Sequence, residues 1–415
     1  MSSIFVQIAS YRDAELLPTL RDCLAKAAHP ENLRFGICWQ HDETEDIGKF
    51  ISDPRFRVIS VPYQDSRGVC WARNAIQSLY AGETYTLQLD SHHRFTPRWD
   101  STLVAMLQSL DSEKAILTSY APHYDPRKAR PPKSVPWKIA FDRFSPDGRL
   151  LTRPSFIENH RNLVRPIPAR FYSAHFAFAS GTFCEEVKHD PQLYFLGEEI
   201  TIAVRAFTHG YDLYHPHRVI VWHEYTRNYR RKHWDDHGGG DAPWHVRDTA
   251  AGGRIATLLG QRSTAVDLGE FGLGESRSLA QYEQYAGIKF KQLLVQDYTR
   301  NDYPPPNPEI YSAADWEARC KKNFAATICL RPGQLPQHKN VDFWYVGLHD
   351  QAGNELLRKD LPPESIDQLL RSDPVRLELT YSSATAAASW TIWPHSGSKG
   401  WLRKVTGGVG THRIR

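Results

Sequence analysis

Apolar runs alternate with amphipathic stretches through the first 90 residues of the chain. The run IFVQIA at 4–9 is typical of a buried strand, and the stretch 15–28 places leucines at helical spacing. The same pattern predicts further strands at 33–40, 56–62 and 85–89 and a second helix at 68–80. This alternation predicts an α/β fold with a mainly parallel sheet, whose ligands bind beyond the carboxyl ends of the strands.

The middle of the chain is less regular in its pattern. Residues 121–168 are rich in Pro, Arg and Lys and predict a long surface loop or lid with short strands. Helices are expected at 198–209, 246–259 and 278–298, and a short strand ends at His223. The charged, glycine-rich stretch 230–240 predicts a mobile loop.

The pattern becomes strand-like near the C-terminus. The cluster NDYPPPNP at 301–308 indicates a linker, and the runs that follow it alternate with turn residues. We therefore expect a domain at 1–300, a linker at 301–310 and a small β-rich module at 311–415. The tryptophans Trp344, Trp390 and Trp393 lie in its predicted strands; they either help to hold an acceptor or form the core of the module.

Composition narrows the classes of protein that remain. The 415 residues carry a net charge of +4 with 24% charged and 41% hydrophobic residues, which is not the balance of a nucleic-acid-coating or disordered chain. No apolar run approaches the ~18 residues of a membrane span. The six cysteines are scattered and are expected to be buried, reduced thiols. We therefore expect a cytoplasmic protein with no nucleic-acid partner.

The string YTLQLDSHHRF carries the most informative chemistry. Asp90 and His92 are at positions i and i+2 at the end of a strand, so their side chains point the same way and can coordinate one cation. A carboxylate oxygen with an imidazole nitrogen suits Mn²⁺ better than Ca²⁺. His223 also ends a strand and is a second source of a ligand. The alternatives are a solvated turn at Asp90 and a structural histidine at His223. The sequence contains no phosphate-binding loop motif GxxxxGK[ST], no HExxH motif of zinc proteases and no GxSxG motif of α/β-hydrolases. The first strand is not followed by the glycine fingerprint of dinucleotide-binding folds.

Three segments together resemble a known family. The segments IFVQIASYRD, RGVCWARNAIQSLYAGETYTLQLDSHHRF and FLGEEITIAVRAFTHGYDLYHP with WHEYTR are similar to metal-dependent GT-A glycosyltransferases that act on polypeptide hydroxyl groups. The nearest resemblance is to the cytoplasmic hydroxyproline GlcNAc-transferases, and a more distant one is to the mucin-type polypeptide GalNAc-transferases. It covers about residues 4–300.

The resemblance implies a role for particular residues. Mn²⁺, or Mg²⁺ in its place, would be bound by Asp90, His92 and His223, while the uracil and ribose of a UDP-sugar would meet Ser10, Arg12 and Asp13. Arg73 would reach toward the nucleotide, and Gly197 with Glu198 would contact the donor sugar. Glu199 stands where the GalNAc-transferases usually have an amide. Glu198, Glu199 and Arg73 are thus the candidate catalytic residues, although Arg73 on a solvated helix face and Glu198 answering a helix dipole are the structural alternatives.

The function that follows is a retaining transfer of a sugar, GlcNAc from UDP-GlcNAc as the first choice, to a hydroxyl group of a protein or saccharide. Retention implies an α-linked product. Because neutral imidazole is the metal ligand, activity is expected to fall below pH ~6.5. The alternatives are another UDP-hexose used to build a surface polysaccharide, and a non-catalytic carbohydrate-binding or scaffolding protein.

Overall fold

The computed structural model describes residues 2–145, 147–226, 229–239, 243–262, 266–310, 312–330, 333, 335–410 and 413–414. The chain divides into two compact units. Unit 1 comprises residues 1–142, 147–292 and 298–308, and unit 2 comprises residues 143–146, 293–297 and 309–415. Each unit has a hydrophobic core of its own.

The secondary structure follows the chain in this order. The strands are β1 Ile4–Tyr11, β2 Leu33–His41, β3 Phe56–Pro62, β4 Tyr85–Asp90, β5 His93–Phe95, β6 Ala115–Thr118, β7 Trp137–Phe144, β8 Leu150–Phe156, β9 Ile167–Pro168, β10 Phe176–Ser180, β11 Asp212–His215, β12 Val221–His223, β13 Ile288–Lys289, β14 Leu294–Val295, β15 Lys322–Leu330, β16 Phe343–His349, β17 Glu355–Leu361, β18 Val375–Ser383, β19 Ser389–Ser396, β20 Gly400–Trp401, β21 Val405–Gly408 and β22 Arg413–Ile414. The helices are α1 Leu16–Lys26, α2 Val69–Gln77, α3 Trp99–Gln108, α4 Phe183–Glu186, α5 Glu198–Thr208, α6 His233–Asp236, α7 Trp244–Leu258, α8 Leu279–Ala286, α9 Asp297–Arg300, α10 Ala313–Ala318 and α11 Pro363–Leu369.

An eight-stranded sheet organises unit 1, in the order β3-β2-β1-β4-β10-β6-β11-β9. The first four strands are parallel, and β10 enters antiparallel between β4 and β6. The predicted α/β class with a mainly parallel sheet is confirmed. Because Ala9 pairs with Asp90 and Tyr11 with Gln40, the carboxyl ends of β1, β2 and β4 meet at one edge.

A short antiparallel ladder completes that edge. The strand β12 pairs with β5, and His223 lies opposite His93. This pairing brings the end of β12 beside the end of β4, although more than 100 residues separate them in sequence. The predicted strand ending at His223 is confirmed.

The middle of unit 1 differs from the loop that we expected at 121–168. Strands β7 and β8 pair with each other, and Ile139, Phe141 and Leu150 are buried. The sequence WKIAFDRF supplies alternating apolar positions, so part of this segment does contribute to a core. The expected helix at 278–298 is also shorter, because α8 ends at Gly287, which adopts φ +68°.

The stretch 230–240 was expected to be a mobile loop, but the structure shows the short helix α6 within it. Gly240 lies outside the described residues. The helix is tied to the strand edge by Asp236, which accepts hydrogen bonds from the Tyr11 hydroxyl at 2.9 Å and the Arg12 guanidinium at 3.1 Å. This segment therefore covers the edge where the candidate residues lie.

Unit 2 is built from β-sheets that enclose one core. The sheet β18-β15-β22 supplies Ile328 and Leu379, and the sheet β17-β16-β19 with β20 and β21 supplies Trp344 and Trp390. The strand β18 alternates buried and exposed positions along its length, as a half-buried strand must. Trp344 is 0% exposed and Trp390 5% exposed, so they form the core, which was the structural alternative.

Two further expectations concern the whole sequence. No disulfide joins the six cysteines, all of which lie in described residues, and five are buried while Cys329 is exposed. The expectation of six buried thiols is therefore wrong at Cys329. Within the described residues, no helix is long and apolar enough to cross a membrane.

Candidate functional site

Three side chains from two strand ends form a compact cluster. The Asp90 Oδ2 atom lies 3.3 Å from His223 Nε2 and 3.8 Å from His92 Nε2. One donor atom from each of the three residues lies within 4.8 Å of the others. Both imidazoles are 2% exposed and the Asp90 side chain is 22% exposed, so the structure brings together the three predicted metal ligands with only the carboxylate partly open to solvent.

Asp13 orients one of these imidazoles. Its Oδ2 atom accepts a hydrogen bond from His92 Nδ1 at 2.8 Å and another from the Ser91 hydroxyl at 2.6 Å. The Tyr229 hydroxyl donates to its Oδ1 atom at 3.1 Å. A carboxylate that holds Nδ1–H leaves Nε2 bare, which is the arrangement found behind metal-binding histidines. Asp13, expected to meet the nucleotide, therefore lies behind the cluster.

The electrostatics of the cluster favour ionised acids and a neutral imidazole. Burial opposes ionisation of Asp90, but the hydrogen bond with His223 and the charge of Arg73 hold its pKa well below its usual range. Burial likewise opposes ionisation of Asp13, and His92 and Arg230 hold its pKa low. Burial lowers the pKa of His223 well below its ordinary value, so this imidazole is neutral.

These donors fit a divalent cation. The buried His92 Nε2 atom has no hydrogen-bond partner among the described residues. Its lone pair can therefore coordinate a metal ion. One carboxylate oxygen and two neutral imidazoles form a donor set that Mn²⁺ and related metals accept. A second group, Cys70, His189 and Glu198, is also close together, but Cys70 donates to Glu198 and His189 bonds to Gln88. Its donors are already satisfied within the protein.

Arg73 joins the start of α5 to the end of β4. Its guanidinium donates to Asp90 Oδ1 at 2.7 Å and to the carboxylate of Glu198. The side chain is 3% exposed, and burial opposes its charge while Glu198 and Asp90 raise its pKa. The structure thus places Arg73 and Glu198 in one buried ion pair, against the solvated-face alternative for Arg73.

Glu199 has a different environment from its neighbour. Its carboxyl group accepts from the Ala174 backbone N–H at 2.9 Å and from the Tyr120 hydroxyl at 3.1 Å. Burial raises the pKa of Glu199 to about 7. Gly197 precedes both acids at φ +93°, and a Cβ atom there would lie 2.5 Å from Ile255 Cδ1, so the start of α5 requires glycine.

A cavity of about 630 Å³, its open mouth included, lies beside the cluster at the ends of β1 and β2. Ala9, Tyr11, Gln40, Gly68 and Ser91 form the part contributed by the sheet and the start of α2. Ser91 lies between Asp90 and His92, so the cavity begins next to the three clustered donors.

The other wall of the cavity comes from the segments around Tyr194 and α6. Tyr194, Phe195, Arg230, His233 and Trp234 line it, and the Tyr194 hydroxyl bonds to His233 Nδ1 at 2.8 Å. The wall therefore combines aromatic rings with a cation. The sequence prediction missed Tyr194 and Phe195, although they lie only three and two residues before Gly197.

Ser10 and Arg12 lie at the same edge in unlike settings. The Ser10 hydroxyl is buried without a partner among the described residues. Arg12 binds Asp42 at 2.9 Å as well as Asp236, and its guanidinium lies 4.3 Å from the Tyr63 ring centroid. Arg12 thus anchors α6 at the edge of the cavity.

Further aromatic side chains surround His223 and were not predicted. The His175 ring lies 4.4 Å and the Tyr225 ring 4.3 Å from it, centroid to centroid, and His93 is 4.9 Å away. Tyr225 could have been found from its place two residues after His223. His175 could not, since it reaches the site through the antiparallel strand β10.

Comparison with known proteins gives one family match. The family described as Glycosyltransferase (GlcNAc) matches residues 3–55 and 49–292, more than half of the chain. No curated protein matches the sequence significantly.

Among solved structures, the chain is similar to GalNAc-T7 crystallised with UDP, GalNAc and Mn²⁺. The identity is 14% and the TM-score 0.49, over 68% of this chain and 54% of that one. It is also similar to residues 1–349 of TarS from S. aureus in complex with UDP-GlcNAc, at 13% identity and a TM-score of 0.40, over 69% and 70% of the two chains. The match thus spans about half the length of GalNAc-T7.

Proposed function

We propose a function from one premise: the chain belongs to the Glycosyltransferase (GlcNAc) family, whose match covers more than half of its residues. It is therefore a glycosyltransferase. Our proposal is that it has a GT-A fold and transfers GlcNAc from UDP-GlcNAc to a hydroxyl group with Mn²⁺. The observation that carries this proposal is the cluster of Asp90, His92 and His223, whose donors face one another beside a cavity lined by aromatic and cationic side chains.

The cavity supports a nucleotide-sugar as the donor. The rings of Tyr11, Tyr194 and Trp234 can stack on a uracil base, since aromatic faces accept another ring. Arg230 and Lys232 line the same cavity and can neutralise phosphate oxygens. Ser10, whose hydroxyl lacks a partner among the described residues, can bond to the base or ribose.

The metal would be held by Asp90 Oδ2, His92 Nε2 and His223 Nε2. A bound Mn²⁺ or Mg²⁺ would supply positive charge to the diphosphate leaving group. Asp13 fixes the tautomer of His92, and Arg73 occupies the other oxygen of Asp90, so one oxygen of that carboxylate stays directed at the two imidazoles. These contacts hold the donor set before any ligand arrives.

The donor sugar would lie next to the start of α5. We assign Gly197 and Glu198 to the sugar contact, with Arg73 holding Glu198 in place. Glu199, with a pKa raised to about 7, can donate a hydrogen bond to a sugar hydroxyl when it is protonated. The sugar contact of Glu198, the positioning by Arg73 and the hydrogen bond from Glu199 all belong to our proposal.

We also propose retention of the donor configuration. In a reaction on one face of the sugar, the bond from C1 to the phosphate oxygen breaks while the bond from C1 to the acceptor oxygen forms. The departing phosphate takes the proton of the acceptor, so no separate base is needed. Proton NMR of the product should show the small anomeric coupling of an α-linked gluco-configured sugar; a large coupling contradicts retention.

The proposal has two alternatives, which differ from it in the acceptor, in the donor or in the absence of catalysis. A protein or saccharide hydroxyl is our first choice, a growing surface polysaccharide built from another UDP-hexose is the second, and a carbohydrate-binding protein without catalysis is the third. We keep the catalytic domain at 1–300, the linker at 301–310 and the C-terminal module at 311–415 as part of the proposal. A cytoplasmic location is proposed from the buried thiols.

The decisive experiment measures UDP released from UDP-GlcNAc, UDP-Gal and UDP-Glc with and without Mn²⁺. We expect UDP-GlcNAc to be preferred and the reaction to require the metal. The variants His223→Ala and His92→Ala should lose metal-dependent UDP binding by calorimetry while keeping the circular dichroism of the parent. His29→Ala, an exposed histidine of unit 1, is the matched control. Equal UDP affinity in His223→Ala removes that residue from the site, and no turnover of any donor favours a binding protein.

A further inference from the structure

The outer surface of unit 2 carries a group of aromatic rings on neighbouring strands. We call it the aromatic face and define it as Phe343 and Tyr345 on β16, Trp393 and His395 on β19, and Trp401 on β20. The pairings Phe343 with His395, Tyr345 with Trp393 and His395 with Trp401 place these residues in adjacent rows. The four residues on β16 and β19 alternate with buried residues, so they lie on the side of the sheet opposite the core, and Trp401 is paired with one of them, His395.

The rings are in mutual contact. Trp401 is 45% exposed, and its ring centroid lies 4.6 Å from Trp393, 5.0 Å from His395 and 5.7 Å from Phe343. Phe343 and His395 stack at 5.2 Å with an interplanar angle of 18°. An exposed patch of contiguous rings is unusual on a protein surface and marks an interaction site.

Gly347 leaves room for the ring of Tyr345 on the aromatic face. A Cβ atom at Gly347 would lie 2.2 Å from the Tyr345 hydroxyl oxygen, so this ring lies along the strand in the space that a side chain would fill. A larger residue at position 347 would displace the Tyr345 ring from the aromatic face. The Trp393 indole N–H donates to the Leu402 carbonyl at 2.8 Å, which fixes that ring in place.

Charged groups border the face, and most are neutralised within the protein. Asp342 pairs with His395 at 3.0 Å, and Arg358, whose guanidinium lies 5.3 Å from the Tyr345 centroid, pairs with Asp360 at 3.0 Å. Lys404 lies 5.6 Å from the Trp393 centroid. The border therefore offers groups of both signs that can form hydrogen bonds with the hydroxyl groups of a ligand.

We propose that the aromatic face binds a neutral saccharide with gluco-configured pyranose rings. Such a sugar has an apolar face of C–H groups that stacks on an aromatic ring and hydroxyl groups at its edge that bond to flanking polar side chains. Trp401 and Trp393 are the stacking residues, and Asp342 and Arg358 are the edge contacts. The proposal concerns unit 2 alone and does not depend on the donor or the metal assigned above.

The test uses the full chain and calorimetric titration with cellohexaose and chitohexaose. We expect at least one of them to bind and Trp401→Ala to weaken binding by roughly 2- to 12-fold, the loss expected for one stacked ring. Trp401→Phe should restore most of the affinity. Tyr303→Ala removes a ring of unit 1 that is 61% exposed and should change nothing.

Three outcomes overturn the proposal. They are no binding of either oligosaccharide, binding that is equal in Trp401→Ala and the parent, and tighter binding of dextran sulfate than of the neutral sugars. Sedimentation analysis of the parent and Trp401→Ala tests a second copy of the chain as the occupant instead; self-association lost in the variant also overturns the saccharide. Turnover of UDP-GlcNAc, measured in parallel, reports on the proposed function separately.

Discussion

At the scale of single residues, the site depends on side chains that hold other side chains. Asp13 is the clearest case, because its carboxylate touches His92 Nδ1 and points away from the clustered donor atoms. The sequence indicated Asp90 and His92 through their i and i+2 spacing. It could not indicate the contact of Asp13 with His92, which depends on the backbone turn at Arg12 with φ +44°.

We predict that Asp13→Asn weakens Mn²⁺ binding by about 10- to 100-fold, the usual effect of losing a carboxylate behind a metal-binding histidine. The amide lacks the negative charge and can present an N–H group to His92, which favours the wrong tautomer. Calorimetry with Mn²⁺ measures the affinity. Asp100→Asn is the matched control, since Asp100 is another buried acid that accepts two backbone N–H groups. An equal loss in both variants contradicts the positioning role.

A second residue-scale prediction concerns Glu199 and pH. Its ordinary pKa is near 4.5 and its folded pKa is about 7, so the folded protein binds a proton between these values that the unfolded chain has released. The free energy of unfolding therefore falls as pH rises from about 5 to 8.

Glu199→Gln should remove this part of the pH dependence and gain stability relative to the parent above pH 7, by on the order of 2 kcal/mol. The amide can donate to the Tyr120 oxygen while the Tyr120 hydroxyl bonds to Thr152 at 2.7 Å. Urea denaturation at pH 5 and pH 8 measures the effect, with the exposed Glu31→Gln as control. A difference between parent and variant that does not grow with pH would falsify the assignment.

A third residue-scale prediction concerns the pH below which protonation of His223 would weaken binding at the proposed metal site. Activity was expected to fall below pH ~6.5, the ordinary pKa of histidine. Burial lowers the pKa of His223 well below that value, so His223 remains a neutral ligand at more acidic pH. Protonation of His223 is therefore not expected to weaken Mn²⁺ binding between pH 7.5 and 6.5, and Mn²⁺ titrations at these two pH values measure this.

At the scale of secondary structure elements, sequence periodicity predicted most of the sheet. The strands β1 to β4 and the helices α1, α2 and α5 follow clear apolar patterns, and each was found near its expected position. Short strands were expected in the segment 121–168, but the buried positions of β7 and β8 were not, because their apolar residues lie among prolines and basic residues that dominate the composition. The docking of α6 was missed because it depends on contacts across more than 200 residues of sequence.

We predict that Asp236→Asn releases α6 from the strand edge and weakens UDP binding by about tenfold, equivalent to 1.4 kcal/mol. The carboxylate accepts from both Tyr11 and Arg12, and hydrogen bonds to charged groups are the stronger ones. Asp235→Asn is the matched control because Asp235 bonds only to Lys232 among the contacts found in the described residues. UDP affinity by calorimetry that is unchanged in Asp236→Asn, or equally reduced in Asp235→Asn, contradicts the role of α6.

At the scale of the whole molecule, each of the two units has tryptophan in its core. Both cores combine aliphatic side chains with tryptophan, which is Trp39 and Trp99 in unit 1 and Trp344 and Trp390 in unit 2. The composition revealed the wealth of tryptophan but not its division between core and surface. That division follows the alternation of each strand, which assigns Trp344 inward and Trp393 outward.

This division predicts opposite effects for two tryptophans in one unit. Trp344→Ala removes a fully buried ring and should destabilise unit 2 by about 3–5 kcal/mol. Trp401→Ala removes a ring that is 45% exposed and should change stability by less than about 1 kcal/mol. Because none of the residues that we propose to bind the metal or the nucleotide lies in unit 2, Mn²⁺-dependent UDP binding should persist in both variants at temperatures below the first unfolding transition. Differential scanning calorimetry locates that transition. Loss of UDP binding by Trp344→Ala while unit 1 remains folded would show that the donor site requires an intact unit 2, against the assignment of the whole site to unit 1.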